Sequence, residues 1–491
     1  MNKRKTVFPV NRFLVAAILI GAALRFYQLG AQGMWIDEGY SLRDATVQGT
    51  VAEASKPLYY GILGIWMAFT PDSVAWFRVP AAIFGVVCIW LTFLVGRRLT
   101  SETVAAFAAF AAALSPLYID HSQEVRMYTL LLMLVLAQMY FFLLALDKPN
   151  SKRLAMYGLF TLLAVLTHSV AAFIILPQAL FVAIGNRLNW RSYLPWFATG
   201  GIVLLLWSPV LVSVFRFRGY FSEAWIALEP KPGLVSFAHL VGEFMIGAWD
   251  IKMVSESKIT ALYLLYTLVV IAIAALAVWC GRRDRGAIFT AAWLTIPVAA
   301  IVLFSHLGTN FWVPRYMIFV SPALFLLLGM AVVRMKRPWL AAILTVIILT
   351  LPATRAARYH IKPERPQWPE VAAHLAAHAG PNDQIGIYRS GNRFVFQYYY
   401  DGSAEWRSLG PEHFYASQFI DHTPDRAAEV IAELPHGQRY WLIIASVPIG
   451  VEADFQHVLK DRYRLVRHIA FRDVNLYEFS DLPKDGNAKQ E

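Results

Sequence analysis

Asp37 and Glu38 stand side by side in Trp35-Ile36-Asp37-Glu38-Gly39-Tyr40, directly after the first long apolar run of the chain. Carboxylates are expensive near hydrocarbon, so acids kept at one membrane face generally line a polar cavity with chemistry to perform. Adjacent acids at a water–lipid boundary suit proton abstraction. One takes the proton, and the other hydrogen-bonds the substrate or tunes its neighbour by like-charge repulsion. Two bland roles compete: a helix N-cap for Asp37 and a solvated loop charge for Glu38. A second polar string, Asp120-His121-Ser122-Gln123-Glu124-Val125-Arg126-Met127-Tyr128, sets Arg126 close to two acids, the pattern of an ion-pair cluster that fixes a loop. Lys56, just before Pro57, and Arg315, beside Tyr316, flank apolar runs, where such side chains snorkel or anchor at head-group level. His168 interrupts the apolar stretch Leu166-Thr167-His168-Ser169, where a lone histidine is usually a satisfied core residue.

The elements that position these residues follow from composition. Of 491 residues 57% are hydrophobic and 16% charged, with a mean hydropathy of +0.47. The apolar stretches approach the ~20 residues that cross ~30 Å of hydrocarbon, so the chain is read as a polytopic α-helical membrane protein. A formal charge of +11 would suit nucleic acid, but the Lys and Arg residues cluster between apolar runs, where they orient spans; no nucleic-acid partner is expected. Cys88 and Cys280 lie in or beside apolar runs, which argues against a disulfide framework or a cysteine metal site. The first run follows Met1-Asn2-Lys3-Arg4-Lys5, lacks a small-residue cleavage site and reads as a retained helix.

Helices are expected near 12–29, 79–97, 103–119, 127–146, 153–168, 170–185, 194–214, 259–280, 287–304, 316–333 and 338–353, about eleven spans. A cytoplasmic N-terminus puts Arg97-Arg98, Lys148 with Lys152-Arg153, Arg187 with Arg191, Arg282-Arg283 with Arg285, and Arg334 with Lys336-Arg337 inside. Asp37, Glu38, Asp120, His168, Arg315 and the C-terminal region then fall outside. The run Leu58 to Phe69, short and between Pro57 and Pro71, reads as a helix lying in the interface. Three outer segments carry the polar residues: the loop 30–78, with Tyr59 and Tyr60; the short string 115–128; and the loop 215–258, with Arg216, Arg218, Trp225, Glu229, Pro230, Lys231, Pro232 and Trp249. Function is expected to face outward.

Trp35-Ile36-Asp37-Glu38, Ser55-Lys56-Pro57-Leu58-Tyr59-Tyr60, Ser122-Gln123-Glu124-Val125-Arg126-Met127-Tyr128, and Pro314-Arg315-Tyr316 followed by Ser321-Pro322 resemble the landmarks of GT-C glycosyltransferases. The branch they resemble is family 39-like, relatives of protein O-mannosyltransferases and of the lipid A aminoarabinose transferase. The resemblance covers about residues 1–355, in matching order. It implies a transferase that moves a sugar from a polyprenyl-phosphate donor to an acceptor hydroxyl of a lipid, glycan or protein on the extracytoplasmic face, with inversion, in a bacterial inner (plasma) membrane. It further implies that Asp37 is the general base with Glu38 in support, and that Lys56, Arg315, Tyr316 and His168 lie at the donor phosphate. Asp120, Glu124, Arg126, Tyr59 and Tyr60 would bind the acceptor or organise the loop. Leu58 departs from the second proline of relatives. Some relatives use a divalent metal and others do not; Asp37 and Asp120 are the candidate ligands here, and the cofactor stays undetermined.

After about residue 355 the composition becomes polar. Arg355, Arg358, His360, Lys362, Pro363, Glu364, Arg365 and Pro366 read as a basic linker, and residues 356–491 as an extracytoplasmic α/β domain attached to a membrane domain over 1–355. Helix-like patterns at 368–379, 424–433 and 454–461 alternate with strand-like runs at 384–388, 439–445, 463–469 and 475–479. Trp368, Phe394, Phe396, Tyr398, Tyr399 and Tyr400 suit either sugar stacking or a core. His374 and His378 have metal-pair spacing but no glutamate between them, so a zinc-protease reading fails. Two other classes stay open: a lipid or solute transporter or flippase, against which stand acids at span ends and no internal repeat, and a membrane scaffold with an outer binding domain.

Overall fold

The computed structural model describes residues 10–46, 55–185, 192–216, 231–247, 258–308, 310–362, 364–388, 390–409, 439–445, 457 and 463–481. The expected helices at 424–433 and 454–461, residues Arg218, Trp225, Glu229, Pro230 and Trp249, and the Arg187/Arg191 cluster lie outside them, His457 apart. The chain divides into two compact units. One comprises 1–30, 48–217 and 229–362; the other comprises 31–47, 218–228 and 363–491.

The membrane unit contains α1 (Val10–Phe26), α3 (Pro57–Phe69), α4 (Val74–Leu99), α5 (Glu102–Leu114), α6 (Pro116–Ser122), α7 (Tyr128–Asp147), α8 (Ser151–Thr167), α9 (Ile175–Gly185), α10 (Leu194–Arg216), α11 (Leu234–Ile246), α12 (Lys258–Cys280), α13 (Arg285–Leu307), α14 (Ser321–Val333) and α15 (Pro338–Ile361). Among the described residues seven stretches are each long and apolar enough to cross a membrane, or eight if the bent pair α5 and α6 counts as one, against about eleven expected; α1 and α8, at 17 residues, and α9, at 11, fall short in length. Serine and asparagine caps start several helices by accepting from the first turn: Ser73 from Trp76, Ser101 from Val104 and Asn150 from Arg153. The alanines of α5 are small enough to let α1 and α4 approach closely, so that Ala17, Ile89, Phe93, Ala105, Ala109 and Ala113 form one buried cluster.

Four expected helices differ from the observed ones. The span expected over 103–119 breaks at Ser115, where Pro116 cannot continue the ladder, and bends by 56° into α6. The stretches at 170–185 and 316–333 begin as 3-10 turns, Ser169–Ile174 and Pro314–Val320, before becoming α9 and α14. The last span runs on to Ile361, so Arg355 and Arg358, read as linker, are helical. The short helix between prolines is present as α3, 13 residues long.

The second unit contains α2 (Ile36–Thr46), α16 (Trp368–His378), α17 (Arg393–Tyr399) and a five-stranded sheet: β1 (Gln384–Tyr388), β2 (Glu405–Leu409), β3 (Tyr440–Ala445), β4 (Tyr463–Phe471) and β5 (Val474–Asp481). Strand order is β2-β1-β3-β5-β4, with β1 parallel to β2 and β3 and the β3–β5 and β4–β5 pairs antiparallel. The central strand β3 is buried along its whole length, which its unbroken run Tyr-Trp-Leu-Ile-Ile-Ala anticipates. Trp368 and Phe396 are core residues at 0% exposure.

Candidate functional site

In the membrane unit the candidate residues come from four separate elements. Lys56 is the residue before α3, whose Pro57 occupies the first turn with φ preset for a helix. Tyr59 and Tyr60 follow it, buried, with rings 5.3 Å apart. His168 ends α8 and opens the 3-10 turn; its Nδ1 accepts from Val170 N at 3.3 Å. In the neutral ring that leaves the proton on Nε2. Arg315 lies in the 3-10 turn Pro314–Val320, and its Nε donates to the Tyr128 hydroxyl at 2.9 Å. The Tyr316 ring lies 4.6 Å from His168 and 6.3 Å from Tyr128. Lys56, Arg126 and Arg315 all act electrostatically on the His168 ring. Arg126 lies 5.9 Å from the Tyr128 ring and Arg315 6.0 Å from the Tyr316 ring, so cations from two elements border this aromatic group, an arrangement that suits a phosphate.

Beside them lies an acidic cluster. α6 and the turn after it carry Asp120, His121 and Glu124, and His121 Nδ1 sits 2.6 Å from Glu124 Oε1 with both side chains buried. The ligand atoms of Asp120, His121 and Glu124 lie within 4.8 Å of one another, close enough to hold a divalent metal. The Glu124 carboxylate on Nδ1 orients the ring, and Nε2 is buried without a hydrogen-bond partner. Arg126, from the same string, is the cation 5.9 Å from the Tyr128 ring. Glu243 joins these groups from α11: it is 7% exposed, and burial pushes its carboxyl up to about 7 against the pull of His121 and Arg315. Neither His121 nor Glu243 was singled out in the sequence. The signal for Glu243 was a single acid inside the apolar run Leu240-Val241-Gly242-Glu243-Phe244-Met245. A shallow apolar crevice lined by Tyr59, Leu63, Phe77 and Phe84 has Glu124 and Arg126 in its wall.

Asp37 and Glu38 belong to the other unit, in the first turn of α2, where the helix dipole favours negative charge. Asp37 is the second residue of α2 and so not its N-cap, and it is partly exposed. Glu38 is fully buried, which removes the solvated-charge reading. Its Oε2 accepts from Trp35 N at 3.2 Å and pairs with Arg365 Nη1 at 3.4 Å. Around α2, Met34 N donates to the Tyr399 hydroxyl at 3.0 Å and Glu364 N to Gln32 Oε1 at 2.9 Å. Arg43 sits 4.8 Å over the Phe394 ring. A Cβ at Gly39 would press on Val395, so glycine permits this contact. The acids of the first loop are therefore built into the same compact unit as the C-terminal sheet.

Residues 55–212 match the family model of dolichyl-phosphate-mannose-protein mannosyltransferase, a segment that includes Lys56, Asp120, Glu124, Arg126 and His168. No curated protein matches the chain in sequence. Among solved structures, ArnT from Cupriavidus metallidurans in the apo state is similar at a TM-score of 0.60 with 13% identity, over 95% of this chain and 98% of that one. The same protein bound to undecaprenyl phosphate gives 0.59 and 15%, over 96% and 97%. The Archaeoglobus fulgidus oligosaccharyltransferase in the apo form gives 0.56 and 12%, over 99% and 76%. The chain has the GT-C glycosyltransferase fold, a polytopic membrane part followed by a small sheet-containing domain.

Proposed function

We propose that this GT-C-fold protein is a membrane glycosyltransferase that takes a sugar from a polyprenyl-phosphate donor and transfers it, with inversion, to an acceptor hydroxyl on the extracytoplasmic face. The observation that carries the reading is the gathering of Arg126 and Arg315 around Tyr128 and Tyr316, whose ring packs on His168, with Lys56 acting electrostatically on the same imidazole. Cations gathered in this way stabilise an anion electrostatically, and the phosphate of a lipid-linked donor is such an anion. ArnT in complex with undecaprenyl phosphate, and the Archaeoglobus oligosaccharyltransferase AglB in complex with dolichol-phosphate and an inhibitory peptide, lend the donor class support.

In this reaction the acceptor oxygen attacks the anomeric carbon, the bond from that carbon to the phosphate oxygen breaks, and the phosphate leaves with the electron pair. Lys56, Arg126 and Arg315 stabilise the charge that develops on the leaving phosphate. The acceptor proton passes to Asp37, the partly exposed acid of α2. Glu38, buried against Arg365, holds α2 in shape. Asp120, His121 and Glu124 bind the acceptor or a divalent cation, whose charge would add to that of the phosphate-binding residues.

The test is incubation of the purified protein in lipid with radiolabelled polyprenyl-phosphate sugars, comparing wild type with Lys56→Ala and Arg315→Ala. Release of sugar from the lipid by wild type, with donor KM raised at least tenfold in each variant, is expected. Release with unchanged KM in both variants would move the phosphate elsewhere.

A further inference from the structure

Two broken helix ends in the membrane unit clasp each other. α5 stops at Leu114, and the 56° bend into α6 leaves its last carbonyls without helical partners. Arg25, near the end of α1 and 0% exposed, fills that role: Nη1 donates to Ala113 O at 3.2 Å and Nη2 to Ala112 O at 3.0 Å. A further bond from Nη1 to Gly21 O, at 3.0 Å, fixes the guanidinium against its own helix. In return Gln123, the residue after α6 and 2% exposed, sends its Nε2 to Leu24 O, Arg25 O and Tyr27 O at 3.3, 3.1 and 2.9 Å. Those are the orphan carbonyls at the end of α1. The close approach depends on Gly85, where a Cβ would collide with Ser122 Oγ.

A fully buried arginine is a costly way to cap a helix, since leucine or alanine would fill the space without desolvating a charge. What it holds explains the cost. The clasp holds the end of α5 that leads into α6 and the residue that follows α6, and so frames the segment that carries Asp120, His121, Glu124 and Arg126. Tyr118, in the middle of α6, is anchored separately by its hydroxyl to Ser321 Oγ at 2.7 Å. We propose that Arg25 and Gln123 are positioning residues of the transfer reaction, which set the rotation and depth of the 115–128 segment while touching neither donor nor acceptor. The inference rests on the proposed reaction and adds to it a geometric requirement outside the site.

The experiment compares wild type, Gln123→Met and the milder Arg25→Lys in lipid by three readouts. These are hydrogen exchange, affinity for undecaprenyl phosphate as the probe, and turnover per folded molecule on a polyprenyl-phosphate sugar. Both variants should accelerate exchange in 115–128 by about tenfold while leaving α7 unchanged. Lipid-phosphate affinity should fall less than turnover, by under about tenfold, because of the phosphate-binding cations only Arg126 lies in the segment, while Lys56 and Arg315 sit on other elements. Turnover should fall by about 10- to 100-fold, the effect of an ångström-scale misplacement. Uniformly faster exchange with normal turnover per folded molecule would make the clasp merely structural and overturn the proposal. Normal exchange and normal turnover in both variants would overturn it as well. A wild type that turns over no donor, with the exchange effect present, would remove the reaction and leave the clasp as the device that orders the segment.

Discussion

Arg365→Leu removes the cation paired with a carboxylate that has no access to water. Glu38 is 0% and Arg365 7% exposed, and truncating one partner of such a pair costs about 3–5 kcal/mol because the remaining charge is stranded. The pair is separated by 3.4 Å, longer than the 2.7–2.9 Å of the strongest charge-assisted bonds. The Trp35 amide also continues to donate to Glu38. Both features place the loss at the lower end, about 3 kcal/mol, equivalent to roughly a hundredfold in the opening equilibrium of α2. Hydrogen exchange of peptides covering 33–46 reads this directly, with β3 and β5 as internal reference. The double variant Glu38→Leu/Arg365→Leu should recover most of the protection, since an apolar pair strands nothing. Protection within about threefold of wild type in the single variant, or a double variant worse than the single, would refute the reasoning.

Tyr128→Phe removes the acceptor of the Arg315 Nε bond and should weaken donor affinity by about fivefold, the equivalent of roughly 1 kcal/mol, read as KM with kcat nearly unchanged. The C-terminal sheet should lose stability in mild acid. Burial against Trp441 and Phe471, then repulsion from His378 and Arg467, lowers the His374 pKa below its usual 6.5 in spite of the opposing pull of Glu478. The folded state therefore binds fewer protons than the unfolded one. The stability is whole above about pH 6.5 and falls as pH drops from there towards the folded value. Near-ultraviolet circular dichroism melts between pH 7.5 and 5.5 should show the decline, with a shallower slope in His374→Phe.

Much of the helical plan was legible because a membrane span must be long, apolar and flanked by charge. Each expected span coincides with helix, and α3 between its prolines was placed to within a residue. The strands β1, β3, β4 and β5 were legible as apolar or alternating runs. β2 was not, since Glu405-Trp406-Arg407-Ser408-Leu409 is a polar edge strand whose one clear burial is Leu409. The break at Ser115 was hidden by an uninterrupted apolar run, although Pro116 marked it. Lys56, His168, Arg315 and Tyr316 were legible as a group only through the motifs they sit in, because the elements carrying them are up to 260 residues apart and local periodicity says nothing about such distances. The grouping of α2 with the C-terminal sheet was illegible for the same reason: the Glu38–Arg365 pair spans 327 positions. His121 escaped because a histidine beside an acid is common, and only the structure places Glu124 on its Nδ1.

The central claim is sugar transfer from a polyprenyl phosphate with Asp37 taking the acceptor proton, and it is tested most directly by comparing wild type with Asp37→Asn. Both are reconstituted in lipid and scored for labelled-sugar release and for donor binding. The account predicts release by wild type, loss of release in the variant by at least about a hundredfold, and donor binding retained in both. Undiminished release from Asp37→Asn would contradict the base assignment, and absence of both binding and release across the donor panel in wild type would contradict the reaction.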